Sequence, residues 1–285
     1  EGFIKIFTRK IDDDDVTSDG QLEIPLVRET ENEFNETDTD SSSPVIKNLR
    51  HLSKVLGSSN FLSLAHHVVV GNQVIVSGHH RPLVLSILNS LKSLLPRGCC
   101  RVIPYSSTYQ ESWKCNFLGL SADVPLSQLM NSSEMYVLLE IVVRQQQTSS
   151  VTEGLTCLVG LTSDVHWPDP DDSHFRNLEF KMSGIILPHK VPTVLSRMVI
   201  ALQNENLSLQ VVDAAFTCLK EEWMNKVKVL FKFTKAGGNR SEDDTRKLLQ
   251  IVGAREEDKL LLKFWMTGLS VQYKTHILAS SIVHR

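Results

Sequence analysis

No apolar run in this 285-residue chain approaches the roughly 18 residues that a membrane-spanning helix requires. The longest, such as LAHHVVV and LSRMVIAL, stop far short, so no integral membrane span is expected. A cationic leader followed by an apolar stretch and a small-residue cleavage site is also missing, which argues against export. The chain opens EGFIKIF without methionine and reads as a piece of something longer. Cysteine is sparse and odd in number: Cys99, Cys100, Cys115, Cys157 and Cys218 include no C-x-x-C pair. That set suits a reducing compartment and small buried hydrophobes rather than a disulfide framework.

Several chemistries lack their residues altogether. There is no G-x-x-x-x-G-K-[ST] phosphate loop; KAGGNRSEDD has glycines but not the lysine and hydroxyl in position, and reads as an exposed turn between helices. Neither H-E-x-x-H nor a spaced Cys/His set occurs, and the pairs His66-His67 and His79-His80 diverge on regular structure. G-x-S-x-G is absent too, and no spacing makes a nucleophile and a base neighbours. No metal, cofactor or catalytic residue is expected.

What is present is ordinary globular material, 41% apolar and 22% charged, enough for one large domain or two of average size. The net charge of −3 conceals a local excess. Residues 12–42 hold twelve carboxylates against the single Arg28, a net of −11, so residues 43–285 carry +6. A segment so charged and so poor in large apolar groups cannot bury enough surface to offset its ordering entropy. Residues 1–44 are therefore expected to be an acidic disordered linker; a phosphorylatable segment, with Ser43 before Pro44, is the alternative.

From Val45 the pattern becomes periodic. Ile46, Leu49, Leu52, Val55 and Leu56 recur at helical spacing before Gly57. A second apolar stretch, Phe61 to Val70, leads through a Gly-Asn turn to a short strand at Val74–Val76. Pro82 opens a helix carrying Val84, Leu88, Leu91 and Leu95. CCRVIPY, EMYVLLEIVV, LTCLVGL and LEFKMSGII read as strands, and 162–177, with two prolines and four aspartates, as a loop. Strands and helices that interleave in this way predict an α/β subdomain with a central sheet over 45–190. After Pro192 the strand signals fade, and helices at Val194–Gln203, from Ser208, at Asp243–Ile251 and at Glu256–Met266 predict an all-helical subdomain over 191–285. Gly253 and Gly268 are its expected stops.

The stretch LKEEWMNKVKVLFKFTK, 219–235, tests the helical assignment. Its period-2 pattern spans only seven residues, Val227 to Phe233. On a helix beginning near Ser208, by contrast, Val212, Phe216, Leu219, Trp223, Val227 and Leu230 fall within about 80° of one another. Met224 and Phe231 widen the apolar arc on one flank and Val229 on the other, to roughly 220°, more than one neighbour can cover. These three are the candidate residues for inter-domain or partner packing. Five lysines also sit here, but Glu221 and Glu222 oppose them and no arginine offers base readout, so no nucleic-acid partner is expected.

GNQVI at 71–75, RVIPYSSTYQESWKCNFLGLS at 101–121, LKEEWMNKVKVLFKFTK at 219–235 and LLKFWMTGLS at 261–270 resemble the folliculin family over about residues 45–280. The resemblance implies its C-terminal region, a DENN-type module in which an α/β subdomain precedes a helical one. It further implies a folliculin-interacting protein as partner, Rag GTPases whose hydrolysis is stimulated, a place in mTOR nutrient signalling, and a cytoplasmic protein recruited to the lysosomal surface. The family's arginine finger is attributed to a longin half not represented in these residues, so no arginine here inherits it. Guanine-nucleotide exchange on a Rab GTPase is the rival activity that a DENN module implies. Residues 145–177 depart from the family pattern.

Overall fold

The computed structural model describes residues 44–125, 135–144, 170–236 and 242–282. The expected acidic linker, except for Pro44, the LTCLVGL strand and most of the 162–177 loop lie outside them. Eight helices and five strands are found among the described residues: α1 Leu49–Leu56, α2 Ser58–Val70, β1 Gln73–Ser77, α3 Arg81–Lys92, β2 Val102–Ser106, β3 Phe117–Leu120, β4 Tyr136–Val143, β5 Leu178–Gly184, α4 Thr193–Gln203, α5 Leu209–Ala236, α6 Glu242–Ile251, α7 Lys259–Trp265 and α8 Val271–Ile282. The architecture is an α/β layer followed by helices, as the residue pattern predicts.

The sheet runs β2-β3-β1-β4-β5, parallel throughout except for antiparallel β5. Strands β1, β3 and β4 are near-continuous apolar runs because both faces are covered. Val74, Val76, Phe117, Val137 and Leu139 face the main core with the helices, while Ile75, Leu118, Leu120 and Leu138 close a smaller one with Cys115 and Val124. Strand β3 was not foreseen. Four residues, FLGL, are too short to show a period, and only the buried sheet identifies them. The expected loop at 162–177 also needs correction at its end: Pro170–Asn177 winds into a 3-10 helix and Phe175 is buried, edge-on to His51.

Local signals explain the helix ends. Asn48 caps α1 by accepting from the His51 N–H at 2.9 Å. At the end of α2, Gly71 adopts φ 88°, its N–H donates to the Val68 carbonyl and the Asn72 N–H to the His67 carbonyl, a Schellman closure that favours glycine. The expected helix at 256–266 is interrupted: Glu256–Asp258 and Met266–Gly268 are 3-10 turns flanking the seven residues of α7.

Packing runs across residue 190. One core joins Leu64 and Val68 of α2 to Trp223 and Val227 of α5 and Leu261 and Trp265 of α7. The buried Trp265 indole donates to the Val69 carbonyl at 3.2 Å. Two 3-10 turns meet where a Cβ on Gly98 would strike the Gly268 carbonyl and one on Gly268 would strike the Cys99 thiol, so both positions require glycine. Asp258, fully buried, supplies the cap that α4 lacks in its own sequence: its carboxylate accepts from the Thr193 N–H (2.6 Å), the Thr193 hydroxyl (3.0 Å) and the Arg255 N–H (2.8 Å). Replacing Asp258 with Ala strands two backbone donors and removes a cap, so urea unfolding should show a loss of about 3 kcal/mol, with Asp258→Asn retaining part of it.

His66 and His67 are buried on α2, and the His67 ring pairs with the Asn72 side chain at 3.0 Å. Burial, reinforced by His66, pushes the His67 pKa down to about 4, and burial lowers that of His66 as well. Between about 6.5 and about 4 the unfolded chain binds a proton that the folded chain refuses, so stability should rise with pH through this window. Lowering the pH from 7 towards 4 should remove about 3 kcal/mol, measured as a falling urea midpoint whose slope flattens in His67→Gln.

Candidate interaction surface

Among the described residues no group of three His, Cys, Asp or Glu side chains is placed to hold a metal ion. Cys99 is sealed beneath Gly268, and burial together with Cys100 pushes its thiol up to about 12; burial also raises Cys115. Neither is poised as a nucleophile. Two of the depressions among the described residues can be given by their lining. One of about 360 Å³ is lined by Arg246, Leu249, Gln250, Ala254, Arg255 and Glu256. The other, about 260 Å³, lies among Lys47, Arg50, Leu202, Leu209, Asp213 and Phe216.

The most informative part of the described surface is α5. The predicted stripe is buried throughout: Val212, Phe216, Leu219, Trp223, Val227 and Leu230 all belong to the core. Helices α4, α7 and α8 each pack against α5, and an arc wider than a surface stripe accounts for the several neighbours. On its outer side Glu222 joins Arg197 of α4 at 2.8 Å and Lys226 at 3.6 Å. Lys226 also donates to the Gly253 carbonyl at 3.1 Å and lies 4.5 Å from the centre of the Trp223 ring. Exposed pairs of this kind are worth roughly 0.2–1 kcal/mol each, so they orient rather than hold the bundle.

The three candidate residues do not share one face. Phe231 is buried, its ring 6.0 Å from that of Tyr273 on α8, whose hydroxyl donates to the Lys228 carbonyl at 2.9 Å. Met224 is half-buried at the border of the core. Val229 points outward, 39% exposed, and one turn further on Phe233 is 42% exposed. The sequence carried a signal for Phe233: it stands four residues from Val229, the spacing that places two side chains together on a helix. Large apolar side chains are also exposed on α4 (Ile200), α6 (Ile251), α7 (Leu260) and α8 (Val271 and Leu278). No described helix is long and apolar enough to cross a membrane.

Comparison with known proteins follows the same lines. Residues 44–278 match the folliculin C-terminal domain family. The chain is 46% identical over 241 residues to folliculin from Homo sapiens and 46% over 240 residues to that from Rattus norvegicus, in each case 83% of this chain and 39% of the relative. Folliculin from Xenopus tropicalis is 45% identical over 240 residues, with the same coverage. The chain thus spans about two fifths of the length of the curated relatives it matches. With a family match across most of its length and relatives this similar, the chain belongs to the folliculin family and carries that family's C-terminal domain.

Proposed function

We propose that this chain is the docking and scaffolding part of a folliculin-type regulator of small GTPases. In this reading it acts with a folliculin-interacting protein in stimulating GTP hydrolysis by Rag GTPases, within mTOR nutrient signalling at the lysosomal surface. The observation that carries it is the 46% identity to folliculins, held across the C-terminal domain. The geometry of α5 supports a binding role. Val229 is an exposed apolar side chain on a helix whose main stripe is buried in the core, so a partner can be gripped there without disturbing that core. Met224 and Phe231 lie on the opposite flank of the helix, half-buried and buried respectively, and hold it to the core.

Capture of a folliculin-interacting protein by the purified 285-residue chain tests this reading. Changing Val229 to Ser should weaken capture roughly tenfold while leaving the unfolding midpoint nearly unchanged. Phe231→Ala, which empties a buried site against Tyr273, should instead cost about 3 kcal/mol of stability. Unaltered capture by the Val229 variant would remove this face of α5 from the interface. Nucleotide release from a panel of Rab GTPases, with and without the chain, separates scaffold from exchange factor: binding without acceleration fits the scaffold, and acceleration by catalytic amounts replaces it with exchange.

A further inference from the structure

Large aromatic side chains are mostly hidden in folded proteins, yet Trp113 is 64% exposed, more than any other Phe, Tyr or Trp among the described residues. It stands in the connection from β2 to β3, and that connection is tied down. Gln73, buried at the start of β1, donates from its side chain to the carbonyls of Gln110 at 2.7 Å and Cys115 at 3.2 Å, and accepts from the Tyr109 hydroxyl at 2.9 Å. The N–H groups of Lys114 and Cys115 both donate to the Glu111 carbonyl, closing a turn around Trp113. Asn116 fixes the far end, accepting from the Arg101 N–H at 2.8 Å and donating to the Cys99 carbonyl at 3.0 Å. An indole held in advance loses little freedom when it is used, which favours binding.

Cations flank that indole. The Lys114 ammonium lies 5.2 Å from the centre of the Trp113 ring, and the Arg101 guanidinium donates to the Ser112 carbonyl at 3.3 Å; both residues are exposed. Arg97, exposed as well, opens the 3-10 turn that leads towards Arg101. From Arg97 to Ala122 the sequence has one acid, Glu111, and its carboxylate accepts from the Trp113 indole N–H at 2.6 Å. Asp123 comes only beyond the opposite end of β3. On the other side of β1, Met135 is 56% exposed, and its carbonyl accepts from the Gln73 N–H at 3.1 Å. Strands β3 and β4 both run parallel to β1, so Trp113 and Met135 stand at the same end of the sheet, with about 10 Å between their strands.

We propose that this end of the sheet rests on an anionic lipid surface, with Trp113 and Met135 entering the interface and Arg97, Arg101 and Lys114 meeting the headgroups. The charge is complementary: basic side chains beside a membrane gain from anionic lipids, and three cations here face one acid that the indole already holds. A tryptophan with an apolar body and a partnered N–H suits the headgroup boundary. Two apolar side chains set a strand apart reach one flat boundary together, whereas an extended protein segment would have to bridge them. The contact is peripheral, and it stands independently of the GTPase reading above.

Co-sedimentation of the full chain with phosphatidylcholine vesicles containing about 30% phosphatidylserine tests the proposal, and should exceed that with phosphatidylcholine alone by about fivefold. Trp113→Ser should lower it about fivefold and Lys114→Glu about as far. Both positions are exposed, so the unfolding midpoint should stay put. Every comparison is between full-length variants, so the charge of residues 12–42 is the same in all. Acyl chains brominated near the headgroup quench an indole that touches them. Trp223 and Trp265 are buried in the core, so most of the quenching should disappear in Trp113→Phe. No binding to either vesicle, equal binding to neutral vesicles, binding indifferent to Trp113 and Lys114, or quenching that persists in Trp113→Phe would each overturn the proposal. So would retention on immobilised polyglutamate without vesicle binding, which assigns this end of the sheet to an acidic protein segment.

Discussion

The helical part of this protein depends on the breadth of the apolar surface of α5. A surface helix hides one stripe against one support. Here the stripe from Val212 to Leu230 and the flanking Phe231 are all buried, on a helix of 28 residues. Burying six large side chains contributes on the order of 10 kcal/mol before ordering entropy is subtracted, too much to leave to one contact. Helices α4, α7 and α8 accordingly each give up part of their own apolar faces to it. Each of them is shorter than the rod it packs against, and α7 is flanked by 3-10 turns.

Much of this was legible in the sequence. Periodicity located α1, α3, α4, α5 and α6 to within a few residues, because each has enough turns for a 3.6-residue repeat to register. Strands β1, β2, β4 and β5 were visible as β-branched runs bounded by turn residues. Strand β3, with four residues, offered no period, and among its described side chains α8 buries Tyr273 and Ile277 while exposing apolar side chains on its outer side too. Elements of that kind are defined by their neighbours.

The candidate surface was legible in part. Helical spacing put Met224, Val229 and Phe231 on the flanks of α5, but a flank residue is inside or outside according to whether another helix arrives there. Tyr273 arrives at Phe231, while Val229 is left outside. That information lies 42 residues downstream of Phe231, at Tyr273, beyond the reach of any local window. Asp258 was missed for a similar reason. A carboxylate in a run of charged residues, REED, reads as solvated surface, yet it is fully buried because the donors of Thr193, 65 residues earlier, converge on it.

The bond from Trp265 to the Val69 carbonyl links positions 196 residues apart. During synthesis, α2 emerges from the ribosome long before the indole that completes its surroundings. Until the chain has passed residue 265, the apolar backing of the sheet waits exposed, and chaperones have time to find it. Translation that stops early therefore removes more than the last two helices. It leaves the first half of the domain without its lid and hands the product to cellular quality control.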